Sequence, residues 1–361
     1  MKNKTLIVFE ESSRVDFGGG QRMTLTTCDI LKDRFDFRFV DFSSTTRFDR
    51  ILDEKYPTCA LVDIGGGSIK SKYRYMAWVK AIKPLLFHFK RDSKRIINGL
   101  DTPKAISYVT NKRSLLYAYF LKKKYHIPFI YHAHLAENPK GIYYPLFKKM
   151  VAKAESILCV SKTVLNSIPL PQSNLVYNPS MNEQGYKGAK IDNHFVVAYV
   201  GGLIPIKGVE YFVDAAKLCP ADVEFRAYGD GALRQSLEER AEGRVKFMGF
   251  CSDMISEYYK DIDILVVPTI LKEALPLVAV DAKSTGIPIV TTSPGGQAEI
   301  VEDGVNGFHV PMKNAIAISE KVMQLVNDLA LYNKISRASY ESFGDFSYSK
   351  YEETINTFFC D

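Results

Sequence analysis

Two carboxylates, Glu273 and Asp281, lie on either side of a predicted helix start and could bind the hydroxyl groups of a sugar. An apolar strand is predicted just before Glu273, and Pro276 suits the first turn of a helix because its missing N–H would be unpaired there. Backbone N–H groups at a helix start bind phosphate, and an ionised carboxylate accepts two hydroxyl hydrogen bonds at once. The pattern therefore predicts a site for a sugar nucleotide.

A second helix start is predicted shortly after the first. Gly286 should end the first helix, Pro288 should open the next strand, and the glycine turn at residues 293–299 leads into another helix. Because parallel strands end at the same edge of a sheet, both helix starts and both carboxylates should face one crevice.

The elements that must position these groups alternate along the whole chain. Helix-like runs such as 21–31 and 114–124 separate short apolar strands, which is typical of an α/β fold with parallel, doubly wound sheets. With 361 residues the chain can bury two cores, so we predict two Rossmann-like domains joined within the polar stretch 182–193. The predicted strands are residues 5–9, 37–41, 60–64, 105–109, 129–132, 156–160, 195–200, 224–229, 245–247, 264–268 and 287–291.

Composition points to a soluble globular protein, with 46% hydrophobic and 24% charged residues. No apolar run approaches the ~20 residues of a membrane span. The N-terminal apolar stretch is too short for a signal peptide and is predicted as a strand. The six cysteines show neither metal-ligand spacing nor a paired pattern, which favours a reducing cytoplasm.

The net charge of +6 is concentrated in part at residues 70–95, where lysines and arginines alternate with aromatic and aliphatic residues. Such a segment suits an anionic membrane surface. A solvated face over an ordinary amphipathic helix explains the pattern equally well, and the sequence leaves the two open. Nucleic acid is not expected as a partner, because no nucleic-acid-binding motif accompanies the charge.

Short motifs follow one another in the second half of the chain. They read Tyr-Val-Gly-Gly-Leu-Ile-Pro-Ile-Lys-Gly at 199–208, Tyr-Gly-Asp-Gly at 228–231 and Val-Lys-Phe-Met-Gly-Phe at 245–250, followed by the pair Glu273 and Asp281. In this order they resemble the C-terminal half of the retaining glycosyltransferases of family GT4. That family has the GT-B fold, in which two Rossmann-like domains face each other across a cleft.

The resemblance implies a domain organisation and a co-substrate. Residues 1–188 would form the acceptor-side domain and residues 189–344 the nucleotide-sugar domain, with a C-terminal helix at about 345–361 packing back on the first. The donor would be an NDP-sugar, with UDP as the expected nucleotide, and neither a cofactor nor a metal would be required. The base would be recognised near Phe250 and Cys251.

Three residues are predicted on this basis as catalytic. Glu273 would contact the donor sugar, Lys207 would neutralise the leaving diphosphate, and His134 would contact the sugar from the end of a strand, with His132 as the alternate. Asp281 would bind the ribose hydroxyls, although the family usually has Glu there.

The remaining predicted donor-binding groups are mostly backbone. Bare backbone at the glycine loop would approach the donor phosphate and acceptor, N–H groups at the helix start would face the diphosphate, and Glu299 would orient its turn or contact the nucleotide side. Gly202 stands where the family commonly has Arg, so one cationic phosphate contact is missing. These groups are Gly19, Gly20, Leu275, Leu277, Val278, Glu299 and Gly202.

The implied reaction is a front-face displacement on an acceptor that is a glycan or a lipid-linked intermediate, at the cytoplasmic face of a membrane. Two alternatives remain open at this point: a sugar-nucleotide epimerase, and a degenerate GT-B protein that binds a nucleotide without transfer.

Overall fold

The structure, a computed structural model, describes residues 4–10, 19–41, 52, 54–56, 59–63, 89, 91–182, 185–251, 259–292 and 295–359. The chain forms two compact units. The first spans 1–160, 164–176 and 352–361, and the second spans 161–163 and 177–351. Apart from the short excursion at 161–163, the chain changes unit after Val176 and after Tyr351; the predicted domain boundaries are at 188 and about 345.

The first unit is built on a seven-stranded sheet in the order β3-β2-β1-β4-β5-β6-β7. All six pairings are parallel, and the strand order reverses between β1 and β4. Such a reversal opens a crevice at the carboxyl ends of the strands. The strands are β1 Lys4–Glu10, β2 Phe35–Asp41, β3 Ala60–Asp63, β4 Ala105–Val109, β5 Phe129–Ala133, β6 Ser156–Cys159 and β7 Ser173–Leu175.

The second unit has a six-stranded parallel sheet in the order β10-β9-β8-β11-β12-β13. Its order also reverses, between β8 and β11. The apolar side chains of β11, and those of β8 except Val200, are buried. Phe212 and Phe225 pack against each other in the same core. The strands are β8 Val196–Val200, β9 Glu224–Tyr228, β10 Val245–Gly249, β11 Ile264–Val267, β12 Ile289–Thr292 and β13 Gly307–Val310.

Helices connect the strands, and capping contacts set where some of them begin and end. Asn111 and Ser114 form a reciprocal cap at the start of one helix, and His126 ends it in the left-handed conformation with φ 57°. Residues 91–97 are also helical. The α-helices with both ends among the described residues are Gly19–Leu31, Lys112–Tyr125, Tyr144–Val151, Lys162–Ser167, Val209–Leu218, Arg234–Ala241, Leu277–Thr285, Gln297–Ile300, Ala315–Asn327, Leu329–Glu341 and Tyr348–Phe358.

The end of the last helix packs within the first unit. Arg34 donates to the side-chain oxygen of Asn356 and to the carbonyl of Phe359. The Phe359 ring lies 6.1 Å from the Phe35 ring and 6.0 Å from the Tyr108 ring. The C-terminal residues therefore complete the core of the first unit.

The predicted fold class, two Rossmann-like domains with doubly wound parallel sheets, is confirmed. One boundary was wrong: Pro276 is not the first helical residue. It has an extended conformation (φ −74°, ψ 108°) and caps the helix Leu277–Thr285, because its carbonyl accepts the first helical bonds, from Ala279 and Val280. Strands β7 and β13 were not predicted, since both are short and neither is a continuous apolar run.

Candidate functional site

The second unit brings together Lys207 and Glu273, two of the predicted catalytic residues. Lys207 Nζ donates to Glu273 Oε1 at 2.9 Å, with the two side chains 33% and 12% exposed. Lys207 ends the 3-10 turn Pro205–Lys207, which packs tightly on the end of β11. A Cβ on Gly208 would lie 2.1 Å from the Pro268 carbonyl oxygen, so only glycine permits this approach.

Two glycines hold the loop that carries Glu273 against the start of the next helix. Glu273 pairs with Gly295, and the N–H of Gly296 donates to the carbonyl of Glu273 at 2.9 Å. A Cβ on Gly296 would lie 1.8 Å from the Ala274 carbonyl oxygen. The two helix starts were predicted to lie close together, and these direct backbone contacts hold them there.

The helix Leu277–Thr285 begins four residues after Glu273 without a side-chain cap. Its first backbone bonds are made by Ala279 and Val280, so the N–H groups of Leu277 and Val278 have no partner within the helix. Leu275 is 8% exposed and lies in the connecting loop. The positive end of the helix dipole is thus placed beside the Lys207–Glu273 pair, where it favours an anion.

Asp281 lies in a buried hydrogen-bond network. It is 4% exposed, and its Oδ1 accepts a hydrogen bond from Ser180 Oγ at 2.7 Å. Ser284 Oγ joins the network by accepting from Asn182 at 2.9 Å. A ribose would have to share this carboxylate with Ser180, and the ribose-binding role stays a prediction.

Two residues later, Lys283 is buried and donates to the carbonyl of Ile300 and to Ser342 Oγ. Burial lowers the pKa of Lys283 to about 8. Neither this lysine nor Ser180 was singled out from the sequence, because their partners are distant in the chain.

Both oxygens of Glu299 are engaged by the protein. They accept from the N–H groups of Lys162 and Thr163 at 2.7 and 2.8 Å, and from the Tyr177 hydroxyl at 3.1 Å. Burial and the Glu299 carboxylate raise the pKa of Tyr177. These contacts engage Glu299 outside the glycine turn that precedes it, and both roles predicted for Glu299 stay predictions.

In the first unit, His132 and His134 stand at the end of β5 with ring centroids 4.2 Å apart. His132 Nδ1 lies 2.6 Å from the Tyr108 hydroxyl, which in turn is 3.2 Å from Thr27 Oγ1. The Nε2 atoms of both histidines are buried and have no hydrogen-bond partner among the described residues. Neither Tyr108 nor Thr27 was singled out from the sequence, because their contacts depend on the folded sheet.

Burial lowers the pKa of His134 to about 4. Burial, together with repulsion from His134, lowers the pKa of His132 well below its ordinary value. At neutral pH both rings are therefore uncharged. They can donate or accept hydrogen bonds, but neither is protonated to imidazolium.

Gly19 and Gly20 begin the helix Gly19–Leu31 and are exposed, and a Cβ on Gly20 would meet no atom within 4 Å. A Cβ on Gly202 would meet its nearest atom, of Ile204, at 3.8 Å. Near the predicted base site, Phe250 is 64% exposed and Cys251 is partly buried. Gly18, the glycine loop 65–67 and most of the basic segment 70–95 lie outside the described residues.

The fold is shared with solved structures of low sequence identity. The Anabaena protein HepE in complex with UDP and glucose matches with a TM-score of 0.78 and 18% identity, over 98% of this chain and 99% of that chain. Sucrose-phosphate synthase from Thermosynechococcus elongatus matches with a TM-score of 0.75 and 16% identity, over 99% of this chain and 98% of that chain. These likenesses place the chain in the GT-B fold class.

Sequence comparisons give the family. Residues 194–328 match the family model described as Glycosyl transferases group 1. An uncharacterized glycosyltransferase of Methanocaldococcus jannaschii, MJ1178, is 30% identical over 244 residues, which are 64% of this chain and 67% of that protein. The chain belongs to the family of glycosyl transferases group 1. The predicted glycosyltransferase resemblance is confirmed, and the comparisons do not favour the epimerase or the non-catalytic alternative.

A relative with a more specific name matches over a shorter stretch. N,N'-diacetylbacillosaminyl-diphospho-undecaprenol alpha-1,3-N-acetylgalactosaminyltransferase of Campylobacter jejuni is 29% identical over 186 residues. These are 50% of this chain and 48% of that protein, so the match spans about half of each.

Proposed function

We propose that this glycosyltransferase moves a sugar from UDP-sugar to a lipid-linked or polysaccharide acceptor with retention of anomeric configuration. The observation that carries the proposal is the Lys207–Glu273 pair at the uncapped start of the helix Leu277–Thr285. A cation, a carboxylate and free backbone N–H groups are the set that a sugar diphosphate requires.

The ion pair is suited to exchange partners when the donor binds. Partly exposed Lys–Glu pairs are worth only about 0.2–1 kcal/mol, so a diphosphate can displace the carboxylate from Lys207. Glu273 then accepts hydroxyl hydrogen bonds from the donor sugar. Lys207 and the helix start remain on the diphosphate, where negative charge develops as the glycosidic bond breaks.

Transfer proceeds on one face of the sugar. The acceptor hydroxyl oxygen bonds to the anomeric carbon, the bond from that carbon to the diphosphate oxygen breaks, and the hydroxyl proton passes to the departing diphosphate. The products are UDP and the glycosylated acceptor. The protein supplies positioning and electrostatics.

The names of relatives support a lipid-linked acceptor. Besides the Campylobacter enzyme, an Escherichia coli relative named UDP-Gal:alpha-D-GlcNAc-diphosphoundecaprenol alpha-1,3-galactosyltransferase is 30% identical over 151 residues, 38% of each chain. Among the described residues, no helix is long and apolar enough to cross a membrane. We propose that the protein acts as a peripheral enzyme on the cytoplasmic face of the membrane, where such acceptors would be reached.

A panel of UDP-, GDP-, ADP- and dTDP-sugars tests the donor assignment. We expect UDP-sugars to raise the thermal midpoint and to release UDP slowly in the absence of acceptor. Ligand at 100 times its Kd stabilises the folded state by about 2.7 kcal/mol, which a thermal shift detects. Stabilisation by another nucleotide alone would correct the base, and stabilisation by none would contradict donor binding.

Replacing Gly202 with arginine should strengthen donor binding. A β-carbon at this position makes only ordinary van der Waals contacts, so the backbone can keep its conformation. A charge-assisted contact to the diphosphate should tighten UDP binding about tenfold. Calorimetric titration with UDP measures the change, and Gly202→Met serves as the uncharged control. Equal tightening by methionine, or none by arginine, would show that position 202 does not face the diphosphate.

A further inference from the structure

A buried lysine lies on the helix that begins at the candidate site. Lys283 is 2% exposed, and within the described part of the chain its ammonium group makes no ion pair. Burying a charge without an opposite charge beside it costs folding stability. A methionine side chain would fill much of the same space without that cost, so packing alone does not account for a lysine here.

The ammonium group of Lys283 joins two helices of the candidate site. Its Nζ donates to the carbonyl of Ile300 at 2.9 Å. Lys283 belongs to the helix Leu277–Thr285, which begins four residues after Glu273. Ile300 ends the helix Gln297–Ile300, which follows the glycine turn held against the Glu273 carbonyl. The hydrogen bond therefore ties together the two elements between which the Glu273 loop is held.

The second partner of Lys283 is Ser342, which follows the helix Leu329–Glu341. Lys283 Nζ donates to Ser342 Oγ at 2.7 Å, and Asn306 Nδ2 donates to the same oxygen at 3.1 Å. The hydroxyl proton of Ser342 goes to the carbonyl of Ala338 at 2.7 Å. With its proton given and both lone pairs used, Ser342 is a fixed acceptor for the ammonium group.

Two carboxylates act on Lys283 from beyond ion-pair distance. They are Glu302, after the second helix of the site, and Asp345, in the turn before the last helix of the chain. Burial lowers the pKa of Lys283 to about 8, and both carboxylates oppose that shift. Glu341, from the third packed helix, is itself paired with Arg337. Lys283 is therefore charged at neutral pH and loses its proton in mildly alkaline solution.

We propose that Lys283 is a positioning residue for the sugar nucleotide, because its two hydrogen bonds set the spacing between the helix start at Leu277 and the loop that carries Glu273. The inference rests on the proposed function, in which these two elements bind the donor. Loss of the proton turns charge-assisted hydrogen bonds to Ile300 and Ser342 into weaker neutral ones. Donor affinity should therefore fall as the pH rises through about 8.

Folding stability should change in the opposite direction. The pKa of Lys283 in the folded chain, about 8, is below its ordinary value of 10.5, so the unfolded chain binds more protons between these two values. The full cost of burying the ammonium group is present below pH 8 and disappears as the pH rises toward 10.5. A gain in stability that accompanies a loss of donor affinity distinguishes positioning from a purely structural role.

The experiment compares variants between about pH 7 and pH 9, on either side of the pKa of Lys283. Calorimetric titration gives the UDP affinity, steady-state kinetics give KM and kcat for UDP-sugar, and thermal unfolding gives the midpoint. Lys283→Met removes the charge and keeps an apolar side chain, and Ser342→Ala removes one acceptor of the ammonium group. The control is Lys321→Met, at a lysine of the same unit whose Nζ lies 4.6 Å from the Phe308 ring centroid.

At pH 7 we expect Lys283→Met to bind UDP about tenfold more weakly and to raise KM more than it lowers kcat. Its thermal midpoint should equal or exceed that of the wild type, because a buried charge is removed. The difference in UDP affinity should shrink above pH 8, where the wild-type lysine is itself uncharged. Ser342→Ala should move the fall in UDP affinity to lower pH, since the ammonium group has one acceptor fewer. Lys321→Met should follow the wild type throughout.

Equal UDP affinity of Lys283→Met and the wild type overturns the inference alone. A loss of affinity that is the same at every pH, or that comes with a matching fall in the thermal midpoint, shows a structural role and also overturns it. If Lys283→Met does not fold, Ser342→Ala decides, and an unmoved pH dependence in that variant overturns the inference. A wild-type protein that neither binds UDP nor turns over UDP-sugar overturns the proposed function, and the positioning role with it.

Discussion

Replacing Glu273 with glutamine is expected to lower kcat/KM for transfer from UDP-sugar by about 10²-fold or more. The carboxylate that accepts the hydrogen bond of Lys207 at 2.9 Å is lost, and with it the charged acceptor for the donor's hydroxyl groups. Because the pair is partly exposed, the free energy of unfolding should change by only about 1 kcal/mol or less. Steady-state kinetics and thermal unfolding measure the two effects separately.

The control is a second Lys–Glu pair in the same unit, Lys217 with Glu242. Glu242→Gln should leave both kinetics and stability near those of the wild type, since surface pairs contribute little. Lys207→Met should lower activity as Glu273→Gln does, and the double variant should lose less than the product of the two, because residues in contact are not additive. Transfer at the wild-type rate in Glu273→Gln would remove this carboxylate from the site.

Gly296→Ala should strongly lower donor use by displacing the loop that carries Glu273. Gly296 has φ −67° and ψ −13°, which alanine adopts freely, so the only obstacle is space. The added Cβ would lie 1.8 Å from the Ala274 carbonyl oxygen. We expect a loss of about 1–3 kcal/mol in the free energy of unfolding, and a loss of about 10²-fold in transfer from a shift of about 1 Å at the site.

Gly344→Ala is the matched control, because a Cβ there meets no atom within 4 Å. Gly344→Ala should match the wild type in denaturant unfolding and in UDP-sugar turnover. Gly296→Ala should be lower than Gly344→Ala in both the free energy of unfolding and the rate of turnover. If Gly296→Ala binds UDP-sugar normally, the close approach of the two loops is not needed for the donor site.

The fold could be predicted to a large extent because its strands are short apolar runs bounded by glycine, proline or polar residues. The predicted strand 105–109 has the same bounds as Ala105–Val109. The predicted strand 264–268 is one residue longer than Ile264–Val267. β7, with the sequence Ser-Asn-Leu, could not be found in this way, because its pairing with β6 decides its conformation and its composition does not. The same holds for β13, which opens on a glycine.

The site could be predicted where function depends on residue type at fixed spacing, and not where it depends on distant partners. That Lys207 and Glu273 lie close together follows from two motifs at the ends of neighbouring strands, but the hydrogen bond between their side chains was not predicted. The burial of Asp281 under Ser180 does not follow from them, because Ser180 lies outside both motifs. Nor does the Tyr108 hydroxyl at His132, since β4 and β5 are adjacent only in the folded sheet.

The contact between Lys207 and Glu273 also has a consequence for the end of the reaction cycle. Glu273 is tethered beside Lys207 at a high effective concentration, so it would compete within the molecule for the ammonium that we propose binds the diphosphate. Any diphosphate bound at Lys207, whether donor or product, would have to compete with the Glu273 carboxylate. Once the sugar has left, UDP has lost the hydroxyl contacts that kept Glu273 occupied, and recapture of Lys207 by the carboxylate speeds its departure. On the proposed function, the resting ion pair is therefore expected to limit product inhibition.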